Sequence, residues 1–220
     1  TAYGMTLDPR ITGRIEYAQD QQMTGMLHAR ILRSPHAHAT LLSINAAAVP
    51  PDVVCLTRDD VADLEPLYGP MVKDQPIVAR DRVLHVGDAV AAVAAETPRQ
   101  AEEALDAIDV EYADLPGIFD AVEATGDTSS LLHEGLEYPS DLRPDGRNVC
   151  HRFRLRSGLG QDGFADADVV LEETFTVAGA AHVPMEPHGT LAYWEGGRLH
   201  VITGTQTPFN LRRDLAGLFR

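Results

Sequence analysis

The stretch Val83-Leu-His-Val-Gly-Asp-Ala-Val-Ala-Ala-Val-Ala-Ala95 and the residues that follow it carry the strongest local-structure signals in this chain. Its apolar residues after the Gly-Asp turn predict a buried strand. Thr97 as N-cap and Pro98 at the first helical position predict a helix from Pro98. Apolar residues at helical spacing continue to Ile108, and Asp109-Val-Glu-Tyr112 alternates like a strand. We expect a split βαβ-type unit here.

Strand-like runs also precede this unit. Gly13 to Tyr17, Gly25 to Arg33 and Ala39 to Ile44 are separated by turn-rich stretches, which predicts an antiparallel start. Together they predict an α+β domain over residues 1–125. The polar and turn-rich stretch 126–147 is the predicted linker, and residues 148–220 form the predicted second domain.

The second domain is predicted to be rich in strands. Val149 to Arg156 and Val169 to Val177 are two long strand-like runs. Leu191 to Thr203 predicts a hairpin that turns at Glu195-Gly-Gly197. After Pro208 the apolar residues recur at helical spacing, with charged residues on the opposite face. We expect a helix there, and its apolar face at the end of the sequence indicates a second domain cut short.

Composition excludes several classes of protein. The chain has 220 residues, 44% of them hydrophobic, and a formal net charge of -15, which disfavours binding to nucleic acid. No apolar run is long enough to predict a membrane span. Cys55 and Cys150 are far apart and each lies in an apolar run, so we predict two buried thiols in a reducing cytoplasm. The alternative is a periplasmic protein whose leader sequence has been cleaved off.

Other chemistries have weaker support. His36 and His38 alternate as on one face of a strand, but a zinc site needs further ligands and none follows at the usual spacing. Surface or interdomain histidines are the favoured interpretation. Gly158-Leu-Gly-Gln-Asp-Gly163 matches a dinucleotide-binding fingerprint only superficially, because strand-like residues soon follow it, so we predict a connecting loop. No Gly-x-Ser-x-Gly motif supports a hydrolase.

The order of motifs along the chain resembles the molybdenum hydroxylases, the family of xanthine dehydrogenase and aldehyde oxidase. The resemblance covers nearly the whole chain, and its first part is similar to the α/β hammerhead domain of that family. The later part is similar to the beginning of the molybdopterin-binding domain. The motifs that carry it are Arg33-Ser-Pro-His-Ala-His-Ala39, Val86-Gly-Asp-Ala-Val-Ala91, Leu132-His-Glu-Gly135, Met185-Glu-Pro-His-Gly189 and Gly204-Thr-Gln-Thr-Pro208.

The resemblance implies roles for five residues. Gln206 would donate its amide N–H to an oxo ligand of molybdenum, with Thr205 beside it. Met185, Glu186 and His188 would lie near the same wall of the site, Glu186 as a structural hydrogen-bond acceptor. The resemblance implies no catalytic base and no direct metal ligand in this segment, because the family's glutamate base comes later in its chain. On spacing alone, a turn amide that caps the next helix is the other interpretation of Gln206.

The resemblance also implies the activity and the partners. It implies hydroxylation of an aldehyde or an N-heteroaromatic carbon, with water as the oxygen source. The cofactor would be molybdopterin with molybdenum, in the cytosine dinucleotide form, and partner domains or subunits would hold 2Fe-2S clusters and FAD. The remainder of the molybdenum subunit would supply the catalytic base, so we expect this segment to be inactive alone. The alternative is a non-catalytic hammerhead scaffold that docks an iron-sulfur partner.

Overall fold

A computed structural model describes residues 8–64, 67–69, 73–126, 128–133, 148–149, 155, 157, 163–165 and 167–219. The described residues belong to two compact units. One draws on residues 1–22 and 153–206, and the other on residues 23–152 and 207–220. None of the helices in the described part of the chain has the length and apolar character needed to cross a membrane.

The smaller unit, residues 1–22 and 153–206, contains a short helix, a 3₁₀ turn and a β-hairpin. The helix is α1 (Pro9–Thr12), the 3₁₀ turn covers Ala18–Asp20, and the hairpin consists of β7 (Thr190–Glu195) and β8 (Arg198–Thr203). The predicted hairpin is confirmed. Gly196 and Gly197 turn it with φ of +57° and +76°, the left-handed conformations that a tight hairpin turn requires.

The larger unit, residues 23–152 and 207–220, contains six strands and three helices among its described residues. Its elements are β1 (His28–Arg33), β2 (Ala39–Asn45), β3 (Val54–Leu56), β4 (Arg82–Val83), β5 (Ala89–Ala95), α2 (Pro98–Asp106), β6 (Asp109–Asp114), α3 (Ala121–Ala124) and α4 (Pro208–Leu218). The strands form two antiparallel sheets, with the order β1-β5-β3 in one and β4-β2-β6 in the other.

The predicted strand, helix and strand around α2 are confirmed, but the predicted βαβ-type pairing is wrong. β5 pairs with β1 and β3, whereas β6 pairs antiparallel with β2 in the other sheet. The helix therefore connects two sheets instead of two strands of one sheet. The closeness of β5 and β6 in the sequence does not predict which sheet β6 joins. β6 alternates in polarity, and a strand of this kind can pair with β5 or with β2. The α+β class is confirmed.

Packing of small residues holds α2 against the sheet that contains β5. Ala91, Val93 and Ala95 face Ala101 and Ala104 of the helix, and all five side chains are buried. Methyl-sized side chains allow the helix to approach the sheet closely, and the removal of apolar surface from water stabilises this contact. The apolar run at Val83 to Ala95 thus forms the centre of the core.

The start of α2 is as the sequence predicts. The backbone N–H of Gln100 donates to the Thr97 hydroxyl at 3.2 Å, and the backbone N–H of Thr97 donates to Oε1 of Gln100 at 3.1 Å. This capping box satisfies two amide groups that a helix leaves unpaired. Pro98 occupies the first turn, where its missing N–H costs nothing.

The cysteine prediction is partly tested. Cys55 on β3 is half-buried and packs at the edge of the α2 core. Burial raises the pKa of its thiol, and the nearby charge of Asp60 raises it further. Cys150 lies outside the described residues.

Two predicted strands are wrong. Gly13 ends α1 in a left-handed conformation, with φ of +67°, and no strand follows it to Tyr17. Asp8 caps α1, Pro9 begins it and Gly13 is its C-cap residue, so the first residue of the predicted strand instead belongs to the end of a helix. Residues 169–177 are exposed and form no strand, and Phe175 and Val177 are 86% and 89% exposed.

Three further predictions fall mainly on residues that the structure does not describe. They are the strand from Val149 to Arg156, the linker over 126–147 and the loop from Gly158 to Gly163. These remain predictions.

Candidate functional site

The hairpin places Glu186 beside Gly204, which directly precedes Thr205 and Gln206. Both carboxylate oxygens of Glu186 lie 3.2 Å from the position that a Cβ atom on Gly204 would occupy. Glu186 is half-buried there. A side chain at position 204 would have to displace this carboxylate, so glycine allows the contact between the two predicted motifs.

Hydrogen bonds at the open end of the hairpin hold these segments. The Thr190 and Thr203 hydroxyl groups are 2.9 Å apart, and the Thr203 hydroxyl donates to the backbone carbonyl of Gly189 at 3.1 Å. Gly189 packs against Gln19, whose Cβ lies 3.4 Å from the position that a Cβ atom on Gly189 would occupy. The segment with Met185, Glu186 and His188 is thereby tied to the strand that leads to Gln206.

Gln206 and Thr205 lie between β8 and α4. Both are exposed, and Gln206 is separated from Pro208, the first residue of α4, by the N-cap residue Thr207. The Thr207 side chain makes no capping hydrogen bond to this helix, whereas its backbone carbonyl accepts the Leu211 N–H at 3.1 Å. An exposed primary amide at this position can donate hydrogen bonds to a ligand.

The remaining predicted site residues are open to solvent. Met185 is 94% exposed, and His188 is exposed as well. The preceding Val183 has a φ of +45°, an uncommon conformation for a β-branched residue. The structure therefore brings Glu186 against the turn that leads to Gln206, and among the described contacts none joins Met185 or His188 to that turn.

The histidines of the His36-Ala-His38 stretch have separate partners. His36 Nδ1 lies 2.6 Å from Asp114 Oδ1, and its ring lies against Tyr112 with centroids 4.4 Å apart. His38 is buried, and its Nδ1 donates to the Pro116 carbonyl at 2.9 Å. Within the described ranges no group of three or more His, Cys, Asp or Glu residues could hold a metal ion. His38 is therefore not a surface histidine, whereas His36 is half-buried, and the absence of a zinc site stays a prediction.

A cavity in the larger unit was missed by sequence reasoning. Its volume is about 380 Å³. Separate segments of the chain line it, so no compact motif marks it in the sequence. His85 and His133 contribute, each within 4 Å of a carboxylate, Asp88 and Asp74 respectively.

Two family models match this chain. Residues 12–116 match the model described as the aldehyde oxidase and xanthine dehydrogenase a/b hammerhead domain. Residues 142–220 match the model of the molybdopterin cofactor-binding domain. This chain belongs to the molybdenum hydroxylase family. The two matches correspond to the two domain types that the sequence motifs predict.

Molybdenum hydroxylase subunits from bacteria are similar over almost the whole chain. A probable xanthine dehydrogenase subunit of Bacillus subtilis is 36% identical over 96% of this chain and 27% of its own length. The nicotinate dehydrogenase large molybdopterin subunit of Eubacterium barkeri is 31% identical over 95% of this chain and 47% of its own length. The chain thus spans between about a quarter and a half of these relatives.

Solved structures of molybdenum hydroxylases support the same fold. Quinoline 2-oxidoreductase from Pseudomonas putida 86 superposes with a TM-score of 0.78 and 31% identity, over 96% of this chain and 27% of that chain. The aldehyde oxidoreductase from Desulfovibrio gigas, at 24% identity and a TM-score of 0.71, covers 88% of this chain and 22% of that chain, and it shows the fold alone.

Proposed function

We propose that this chain is the N-terminal part of the molybdenum-binding subunit of a hydroxylase that oxidises an aldehyde or an N-heteroaromatic carbon. The relatives named as xanthine and nicotinate dehydrogenase subunits support this reaction class. The structural observation that carries the proposal is the packing of Glu186 on Gly204, at the entrance to the Thr205-Gln206 turn.

The residues at this turn fit a molybdopterin cofactor by their chemistry. Gln206 offers an exposed primary amide as a hydrogen-bond donor, and Gly204 has no side chain to obstruct an approach. Molybdopterin with molybdenum, when bound, would supply the two-electron redox chemistry and the activation of water. Gln206 would donate an amide hydrogen bond toward the molybdenum centre, and Thr205 would lie beside it.

Glu186 acts in this proposal as a structural acceptor. Its half-buried carboxylate lies close to Gly204 and would limit the conformations of the turn. A preorganised donor needs such support, because a hydrogen bond aimed at developing charge is effective only when its geometry is held. Met185 and His188 would line the same wall, and their exposure leaves them accessible to the cofactor or to the remainder of the subunit.

We infer a cytosine dinucleotide form of the cofactor, with electrons passing to 2Fe-2S clusters and FAD in partner domains or subunits. The remainder of the subunit would supply the base that deprotonates water. We propose a cytoplasmic enzyme, and the free, half-buried thiol of Cys55 fits a reducing compartment.

The test is Gln206→Ala in the complete subunit, purified in its native assembly. Turnover of aromatic aldehydes and N-heteroaromatic compounds is measured with an artificial electron acceptor, and molybdenum content by mass spectrometry. We expect kcat to fall by about 10²- to 10³-fold with molybdenum retained, as for other preorganised donors. Gln22→Ala, at another exposed glutamine, is the matched control.

Two outcomes would contradict the assignment of Gln206. Turnover within twofold of the parent enzyme would make it a turn residue. An assembly that contains no molybdenum in the parent form would favour the alternative, a non-catalytic hammerhead scaffold that docks an iron-sulfur partner.

A further inference from the structure

The cavity described above lies entirely within the larger unit. Its lining comes from the end of β1, the segment that precedes β4, the turn that leads into β5, and His133. Its volume of about 380 Å³ falls in the range of about 300 to 1,000 Å³ that is usual for small-molecule sites. The cavity is therefore large enough for a small organic ligand.

Two carboxylates contribute to the lining, and they differ in their partners. Asp88 is engaged, because its Oδ2 accepts the Leu84 backbone N–H at 3.0 Å. The Asp74 side chain is only 29% exposed, and His133 Nε2 lies 3.9 Å from its Oδ2, too far for a hydrogen bond. Within the described ranges, no other residue donates to Asp74. This carboxylate therefore keeps its full capacity to accept hydrogen bonds from a ligand.

Arg33 adds a positive charge to the same cavity. Its Nη1 donates to the backbone carbonyl of Gly87 at 2.8 Å, which holds the guanidinium at the turn before β5. Among the described contacts this is the only hydrogen bond of a group that carries several N–H donors. Arg33 is exposed, so a solute can reach it. A planar guanidinium with donors to spare is suited to binding a carboxylate.

The segment that carries Asp74 is held on both sides. Tyr68 and Gln75 exchange two backbone hydrogen bonds, of 2.7 and 3.0 Å. Lys73 Nζ donates to Asp214 Oδ1 of α4 at 2.7 Å, and α4 belongs to the same unit. A site that is already ordered loses less conformational freedom when it binds a ligand.

We propose that this cavity binds a small zwitterion of the α-amino-acid type that has an apolar side chain. Asp74 accepts hydrogen bonds from the ammonium group, and Arg33 binds the carboxylate. Ile77 and Leu84, which are half-buried in the lining, contact the apolar side chain. A simple anion would be repelled by Asp74 and Asp88, and a simple cation by Arg33, whereas a zwitterion uses both kinds of charge.

The first experiment compares three probes on the complete subunit in its native assembly. Isothermal titration calorimetry measures the binding of L-phenylalanine, of phenethylamine, which lacks the carboxylate, and of hydrocinnamate, which lacks the ammonium group. We expect L-phenylalanine to bind at least about tenfold more tightly than either analogue, because only it has both charged groups. This comparison uses the parent protein, so it requires no variant to fold.

The second experiment assigns the two charged groups. Asp74→Asn and Arg33→Gln should each weaken the binding of L-phenylalanine by about tenfold to a hundredfold. Asp74→Asn should also weaken phenethylamine but not hydrocinnamate, and Arg33→Gln should do the reverse. The matched controls are Asp52→Asn and Arg30→Gln, since Asp52 is exposed and Arg30 lies on β1, and neither lines the cavity. The controls should leave all three affinities unchanged.

Hydrogen exchange locates the bound probe. Saturating L-phenylalanine should slow exchange of the Gln75 and Leu84 amide groups in the parent protein, but not at the same concentration in Asp74→Asn. The absence of saturable binding up to about 10 mM would overturn the proposal. So would equal affinity for the three probes, or an affinity for L-phenylalanine within twofold of the parent value in either cavity variant. The proposed function is tested separately, by turnover and molybdenum content of Gln206→Ala.

Discussion

The carboxylate of Glu186 lies against Gly204, with both oxygens 3.2 Å from the position of an added Cβ atom. Two stretches that are separated by the whole β7–β8 hairpin thus meet where β8 leads into the Thr205-Gln206 turn. The contact depends on the absence of a side chain at position 204.

Gly204→Ala should lower the activity of the enzyme more than it lowers its stability. The added methyl group would displace the Glu186 carboxylate by a few tenths of an ångström, and because this is the end of a flexible side chain, unfolding free energy should change by less than about 0.5 kcal/mol. Turnover of the complete enzyme should fall by about tenfold if the turn is displaced by this shift. Denaturant unfolding and steady-state kinetics measure the two effects.

Gly217→Ala is the matched control for that substitution. Among the described residues, no atom other than those of its chain neighbours and the backbone of α4 lies within 4 Å of a Cβ at Gly217, so the change should leave turnover unaltered and stabilise the helix by up to about 1 kcal/mol. Equal losses of activity in both variants would contradict the interpretation of Gly204.

Alanine in the hairpin turn should destabilise the protein. Gly196 and Gly197 have φ of +57° and +76°, and each substitution by Ala should destabilise the unit by about 1 kcal/mol through left-handed strain. Gly196→Asn should cost less, because asparagine tolerates this conformation. Urea unfolding followed by fluorescence of the single tryptophan, Trp194 on β7, reports on this hairpin. An asparagine variant as unstable as the alanine one would contradict the explanation.

Thr97→Ala should lower the unfolding free energy by about 1 kcal/mol, because it removes the hydroxyl that accepts the Gln100 N–H. Circular dichroism during chemical denaturation measures this change. Arg99→Ala in the same helix removes only an exposed pair with Glu103, and it should lower the stability less than Thr97→Ala does. A larger loss for Arg99→Ala would show that the cap is not the main stabilising feature of this end.

Protonation of Asp60 should account for part of the loss of stability at low pH. The Thr57 backbone N–H, followed by the Thr57 hydroxyl, lowers the pKa of the Asp60 carboxyl by hydrogen bonding. Because the folded-state pKa is depressed, the contribution is present above the unfolded value of about 4 and is lost as pH falls through the folded value. It is below about 1 kcal/mol, since the group is nearly fully exposed to solvent screening.

The measurement is unfolding free energy between about pH 6 and about pH 2.5, on either side of the unfolded pKa, for the parent chain and Asp60→Asn. The difference between them should be largest at the upper end and should shrink as the pH falls. A constant difference across this range would show that protonation of Asp60 does not contribute to the acid loss.

The sequence alone determined the features that local chemistry controls. The helix after Thr97 and Pro98, and the hairpin that turns at Gly196 and Gly197, follow from residues that contact each other within a few positions. Capping and left-handed turns are satisfied locally, so the same residues favour them in any surroundings. The order of the family motifs likewise indicated the two domain types that the family models match.

Tertiary structure alone decided which segments pair. A strand-like run such as residues 169–177 shows that a strand is possible, but a strand also needs a neighbour with matching register. The separation of β5 and β6 into two sheets, and the pairing of Lys73 with Asp214 across 141 positions, depend on packing between distant residues. The same holds for the approach of Glu186 to Gly204, because the hairpin between them must form before the carboxylate reaches the backbone.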